Sequence, residues 1–194
     1  MVHASPASAK TMMRFEMRAR RRGLAAETPE AARRAADLLP LEKLPPFKIV
    51  SGYSAQRAEF DPWPLMRRLT AEGGRLALPV ATHRDAPLIF RVYDVSASLV
   101  PDAFGIPSPG PNAEEVLPDL VIAPLVAFDR DGGRLGQGAG HYDRMLANLR
   151  AAHEVFVLGL AYAGQEVARV PAEPHDQRLD AILTETGYID VRKD

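Results

Sequence analysis

Residues 119–145 read DLVIAPLVAFDRDGGRLGQGAGHYDRM, and their order decides the fold. Asp119 to Ala123 is a short apolar run, which predicts a buried strand. Pro124 to Arg134 is expected as a loop. Five glycines then fall within the nine residues Gly132 to Gly140. Tyr142 to Leu149 follows as a helix, with Met145, Leu146 and Leu149 on one face. A buried strand that runs through a turn into a helix is the building unit of open, mostly parallel sheets.

The same alternation extends outward. Ser5-Pro6 is a helix start, with serine as N-cap and proline at the first helical position. Thr28-Pro29-Glu30 starts a second helix, through Ala31 to Leu39, which Pro40, Pro45 and Pro46 end. Phe47 to Tyr53, Arg75 to Pro79 and Leu88 to Tyr93 read as the first three strands. Asp61-Pro62 opens a helix through Leu65, Met66 and Leu69, closed by Gly73-Gly74. Residues 94–118 are rich in proline and glycine and predict an irregular, stiff loop. Val155 to Ala161 reads as another buried strand, Gln165 to Val170 as a short helix and Ala181 to Thr184 as a last strand.

The expected fold is therefore α/β: a single domain over residues 1–194, with an open, mostly parallel sheet and helices on both faces, in three layers. Such sheets bind ligands beyond the C-terminal ends of their strands. The loops at 54–60, 79–87 and 124–140 should gather there.

Composition narrows the function classes. A net charge of −1 provides no overall field for nucleic acid or an anionic membrane, so neither partner is expected. The absence of cysteine excludes disulfides, thiol nucleophiles and cysteine zinc sites. No apolar run approaches the ~18 residues of a membrane span. Residues 1–23 are rich in arginine, with Glu16 the only acid, a composition that transit peptides share with surface helices. Lys10, Arg14, Arg18 and Arg22 recur every four residues along one helix face, whose ordinary fate is solvation.

The glycine stretch carries the chemistry. Gly136, Gly138 and Gly140 alternate as G-x-G-x-G, which is neither the dinucleotide fingerprint nor the P-loop. The physics is shared: glycine lets backbone N–H groups approach an anion, and the following helix adds a dipole of roughly +0.5 charge. A floppy surface turn has the same composition, but the flanking Arg134 and Arg144 favour phosphate. Asp143 is either a charge in the helix's first turn or a Mg²⁺ ligand. Asp176 and Asp180 are either caps or ligands, and His141 and His175 either proton carriers or ordinary hydrogen-bonded histidines. Glu59 is a turn residue or a carboxylate that holds a polar ring. Tyr53 and Trp63 beside it are expected in the core. No serine, cysteine or zinc-protease constellation emerges.

Residues 134–144, RLGQGAGHYDR, resemble the R-L-G-x-G-x-G-Y-Y-D-R signature of the 5-formyltetrahydrofolate cyclo-ligase family. Lys10-x-x-x-Arg14, Glu59-Phe60-Asp61, the run DLVIAPLVAFD from Asp119, and His175-Asp176 with Asp180 resemble its other motifs in the same order. The resemblance covers about residues 10–186. It implies an ATP- and Mg²⁺-dependent cytoplasmic ligase of one-carbon metabolism, a monomer acting on ATP and 5-formyltetrahydrofolate. The product would be 5,10-methenyltetrahydrofolate with ADP and phosphate. Carried over, Lys10, Arg134 and Asp143 are catalytic. Lys10, Arg14, Arg134, Leu135, Gly136, Gln137, Gly138, Ala139, Gly140, His141 and Tyr142 bind ATP. Glu59 and residues Gln137 to His141 bind the folate, and Asp143 and Asp176 ligate Mg²⁺. His141, Gln137 and Leu125 depart from residues common in the family. A Lys10 in the site argues against a cleaved presequence, and Arg18 and Arg22 keep their solvated reading. The alternative is another ATP- or sugar-phosphate-binding enzyme on the same scaffold.

Overall fold

The computed structural model describes residues 6–83 and 86–192. The chain opens with a long helix, α1 (Pro6–Glu27), and a short one, α2 (Ala31–Leu38). Strand β1 (Ile49–Ser51), helix α3 (Trp63–Ala71), and strands β2 (Arg75–Val80) and β3 (Ile89–Val92) follow. A small hairpin pairs β4 (Val100–Pro101) with β5 (Pro107–Ser108). After β6 (Leu120–Pro124), a second pairs β7 (Ala127–Phe128) with β8 (Arg134–Leu135). Helix α4 (His141–Ala152) and strands β9 (Phe156–Leu160), β10 (Ala181–Thr184) and β11 (Gly187–Asp190) complete the chain.

The main sheet has seven strands in the order β11-β10-β9-β6-β1-β2-β3. The five inner strands are parallel, and β3 and β11 run antiparallel at the two edges. Strand β6 shows why its sequence is a continuous apolar run. Leu120 and Ile122 pack with Ala35 of α2 and Met66 and Leu69 of α3. Val121 and Ala123 face the other way, onto Met145, Leu146 and Leu149 of α4. A strand buried on both faces has no polar side to alternate with. The expected three-layer α/β/α arrangement is thus present, with α1 laid across the end of the sheet through Met17 and Leu24.

Several boundaries differ from expectation, each for a local reason. The first strand is three residues long rather than seven. At its start, Lys48 N–H and Ile49 N–H both donate to the Asp119 carboxylate, at 2.8 and 2.9 Å, in place of a strand partner. The stretch from Pro124 to Arg134 is not simply a loop, because the β7–β8 hairpin forms inside it. Strand β11 has no strong sequence signal; it follows a tight turn at Glu185-Thr186 whose Thr186 N–H donates to the Thr184 hydroxyl. Thr28 ends α1 rather than capping α2, since its hydroxyl donates to Leu24 O at 2.6 Å. Ser5 lies outside the described residues.

The helix expected from Gln165 to Val170 is absent; a single 3-10 turn, Ala163–Gln165, stands there. Gln165 is fully buried and its amide ends the turn. It accepts from Tyr162 N–H at 2.9 Å and donates to Leu125 O at 2.9 Å and Val126 O at 3.0 Å. The chain then runs on extended, with Val167 N–H on Phe128 O. Gln165→Leu keeps the volume and deprives three backbone groups of this partner. It should lower the unfolding free energy by about 2–4 kcal/mol, read from the urea midpoint at unchanged slope.

Candidate active site

Two of the three expected loops meet in a cleft of about 740 Å³ at the C-terminal ends of the parallel strands; the 79–87 loop brings only Pro79, still within β2, and Asp102, Phe104 and Ile106 line the cleft as well. Tyr53 to Glu59 enter after β1, Pro79 from the end of β2 and Pro124 from the end of β6. The glycine loop closes one side, α1 another, and the segment around Glu173 to Asp176 a third. Seven cations line it, Lys10, Arg14, Arg18, Arg21, Arg22, Arg57 and Arg134, against five acids, Glu59, Asp102, Asp143, Glu173 and Asp176. A chain of net charge −1 has therefore gathered its positive charge here, as binding of a polyanion requires.

Gly140 adopts a left-handed conformation, φ 69°, at the N-cap of α4, a conformation that costs a side chain but not glycine. Gly138, at φ 110°, lies under Arg14, whose Cζ would sit 3.4 Å from an added Cβ. Arg14 Nε donates to Gly136 O at 3.0 Å, and Arg18 donates to Gln137 Oε1 at 3.0 Å and Gln137 O at 2.8 Å. Helix α1 thus holds the loop by its carbonyls. Arg18 is not a solvated face residue as expected, whereas Arg22 is exposed at the margin.

Three ion pairs sit at the glycine end. Lys10 Nζ lies 2.7 Å from Glu173 Oε2 and 2.5 Å from Asp176 Oδ2. Arg134 Nη2 lies 2.7 Å from Asp143 Oδ1, which also accepts from Gln177 N–H at 3.1 Å. Glu173, His175 and Asp176 present ligand atoms within 4.8 Å of one another. Two carboxylates around an ammonium form a donor set that suits a hard cation. Asp143 is outside this group, and Asp180 is structural: it pairs with Arg150 at 3.1 Å and accepts from Val157 N–H at 2.8 Å.

The opposite end is built on Glu59, 8% exposed in its side chain. Its Oε1 accepts from Gln137 Nε2 at 2.9 Å and its Oε2 from Gln56 N–H at 2.9 Å. Gln137 therefore connects the glycine loop to the loop after β1. Tyr53 is buried and donates to Phe60 O at 2.6 Å, and Trp63 packs edge-on against Tyr93, so both are core residues as expected. Burial first, and the Glu59 charge second, push the Tyr142 hydroxyl well up, so it stays protonated.

His141, the first residue of α4, also lines the cleft. Its ring meets Phe104 edge-on at 5.0 Å, and Arg144 Nη2 donates to its Nδ1 at 3.2 Å. Arginine has no lone pair to offer, so the ring proton resides on Nε2. Burial, and then the Arg144 charge, hold the imidazole below its ordinary 6.5. A depressed pKa means its contribution to stability is present above pH 6.5 and lost as pH falls through the lower folded value. An NMR titration should place the His141 midpoint below 6.5, and Arg144→Ala should move it back upward. A midpoint at or above 6.5 would contradict this environment.

Sequence reasoning missed Arg21 and Glu173. Arg21 is buried, its Nη1 donating to Leu125 O at 3.0 Å and lying 3.8 Å from Glu59 Oε1. Helical geometry was the available signal: at 100° per residue Arg21 is about 20° from Lys10 around the axis, whereas Arg22 is about 120° away.

The profile of the 5-formyltetrahydrofolate cyclo-ligase family matches residues 6–185. The chain belongs to the 5-formyltetrahydrofolate cyclo-ligase family. The Escherichia coli K12 cyclo-ligase is 38% identical over 131 residues, 65% of this chain and 71% of that protein. The Mycolicibacterium smegmatis cyclo-ligase is 35% identical over 137 residues, 66% of this chain and 69% of that protein. Among solved structures, the Aquifex aeolicus 5,10-methenyltetrahydrofolate synthetase superposes with a TM-score of 0.76 at 29% identity, covering 95% of this chain and 94% of that one. The Mycoplasma pneumoniae synthetase, at 22% identity, shares the fold with a TM-score of 0.70 over 91% of this chain and 98% of that one. In this cyclo-ligase family member, Lys10, Arg14, Glu59, the glycine loop, Asp143 and Asp176 all border one cleft.

Proposed function

We propose that the cleft converts 5-formyltetrahydrofolate to 5,10-methenyltetrahydrofolate, the activity of the family to which the chain belongs, and that it does so with ATP and Mg²⁺. The observation that supports the ATP half is the excess of cations lining the cleft, seven against five acids, in a chain of net charge −1. Lys10, Arg14 and Arg134 contact the phosphates, and the backbone from Arg134 to Tyr142 cradles them. Glu59 holds the pterin ring, with His141 where nucleotide and folate meet.

Asp176 and Asp143 would hold Mg²⁺, with Glu173 beside Asp176. Their carboxylates already face a cation each, Lys10 and Arg134, so the donor chemistry fits a hard ion. When bound, the metal neutralises charge on the phosphate oxygens. Phosphates that drew Lys10 and Arg134 would leave these carboxylates available to such an ion.

The formyl oxygen attacks the γ-phosphorus and ADP leaves. N10 then attacks the activated carbon, loses its proton and expels phosphate. A formyl oxygen is a poor leaving group, and phosphorylation makes it a good one. The protein's part is to align the formyl oxygen with the γ-phosphorus and to stabilise the phosphoryl charge. The enzyme acts as a monomer in the cytoplasm. No helix among the described residues is long and apolar enough to cross a membrane. Purified protein with Mg²⁺-ATP and 5-formyltetrahydrofolate should form a product with the absorbance of the methenyl compound. Absence of that product, with ATP bound, would favour another ATP-using reaction on this scaffold.

A further inference from the structure

Arg21 carries more donors than its surroundings use. Its side chain is 7% exposed, and its guanidinium lines the cleft. Nη1 donates to Leu125 O, but at 3.8 Å it is too far from Glu59 Oε1 for a hydrogen bond. Nε is buried without an acceptor, and Nη2 has no acceptor among the described residues. Leu125 O already accepts from Gln165 Nε2 at 2.9 Å, so its satisfaction does not require Arg21. A buried guanidinium with unmatched donors is costly unless a ligand matches them.

The position of Arg21 sets it apart from Lys10, the residue assigned to the phosphates. Lys10 and Arg21 lie on one face of α1, separated along the axis by about 16 Å. Lys10 is at the Asp176 end and Arg21 at the Glu59 end. We propose that Arg21 is a substrate-binding residue that donates to the 4-oxo group of the pterin ring, beside Glu59. This rests on the reading that Glu59 holds the pterin. The ring edge presents two donors and then an acceptor: the 2-amino group, N3–H and O4. Glu59 and Arg21, side by side without a hydrogen bond between them, present the complement. Each carboxylate oxygen has two lone pairs, so the Gln56 N–H bond to Oε2 can persist while the ring displaces Gln137 from Oε1. Arg21 thereby distinguishes a 4-oxo ring from a 4-amino ring, which would turn a donor against a donor.

The test compares wild type with Arg21→Met in steady-state turnover, varying the folate substrate and ATP in turn, and in inhibition by folic acid and its 4-amino analogue. Wild type should prefer the 4-oxo inhibitor, and Arg21→Met should reduce that preference roughly 10-fold, the remainder being set by Glu59 against N3, which carries no proton in the 4-amino ring. It should also raise the folate KM roughly 10- to 100-fold while leaving the ATP KM within about twofold. If the methionine variant does not fold, Arg21→Gln serves, because an amide that can present either its donor or its acceptor also weakens the preference. A variant that keeps the full wild-type 4-oxo preference and the folate KM overturns the assignment, as does a parallel rise in both KM values. Wild type that turns over no 5-formyltetrahydrofolate would instead overturn the parent reading.

Discussion

Lys10→Ala is expected to lower turnover by roughly 10²–10³-fold, the usual loss when one fixed donor to a reacting group is removed. Lys10 is only 5% exposed and is held from two sides by Glu173 and Asp176. Burial opposes its charge, but the hydrogen bonds and charges of Asp176 and Glu173 outweigh that and keep its pKa above the ordinary 10.5. Burial likewise opposes the charge of Asp176, and Lys10 outweighs it, holding the carboxyl below 3.8. The signs differ at the two limits. The Lys10 contribution is complete below 10.5 and lost as pH rises through its folded value. The Asp176 contribution is complete above 3.8 and lost as pH falls through its folded value. The pair therefore stays ionised across neutrality, and a bell-shaped activity profile near pH 7 does not originate here.

The variant also separates catalysis from folding. Removing Lys10 leaves two adjacent carboxylates without their cation, and partial exposure moderates the stability loss to about 1–3 kcal/mol. Mg²⁺ should then restore the melting temperature of Lys10→Ala more than it raises that of wild type, because the carboxylates are free to take the ion. Unchanged turnover would remove Lys10 from the site. Equal Mg²⁺ responses in the two proteins would remove Glu173 and Asp176 as cation holders.

Sequence legibility follows how local each signal is. Strand β6, the glycine run and α4 were readable because they form one continuous local unit with apolar positions on both sheet faces. Lys10 and Arg14 were readable from helical spacing and the family motif, but strict fourfold counting drifts around a helix of 3.6 residues per turn. That drift put Arg22 on the counted row and left Arg21 off it. The bond between Gln137 and Glu59 spans 78 positions, and that between Lys10 and Glu173 spans 163. No local pattern encodes such pairs, since they depend on which loops the sheet order brings together. The lost helix at Gln165 is similar: its polar side chain found buried partners at Leu125 and Val126, forty and thirty-nine positions away.

Arg134→Met and Asp143→Asn together decide what Asp143 does. Arg134 is 3% exposed in its side chain, pairs with Asp143 at 2.7 Å and lies with Cζ 5.6 Å from the Tyr142 ring centroid. Its Nε is buried with no acceptor, so the guanidinium has donors to offer a phosphoryl group. Arg134→Met should cost roughly 10³-fold or more in turnover, the scale of an arginine acting on a transferring phosphoryl group. It should also lower stability, because Asp143 loses its only ion pair among the described residues. Asp143→Asn preserves the acceptor for Gln177 N–H while removing the charge. If Asp143 ligates the metal, the Mg²⁺ concentration for half-maximal activity should rise about tenfold or more, since Mg²⁺ relies on one or two carboxylates. If Asp143 only orients Arg134, turnover at saturating Mg²⁺ should fall while that midpoint stays put. An unaltered metal dependence would therefore refute the ligand role and leave Asp143 as the anchor of Arg134. The asparagine keeps a neutral amide oxygen available as acceptor for the Arg134 guanidinium, so a shift in metal dependence cannot be attributed to a displaced arginine alone.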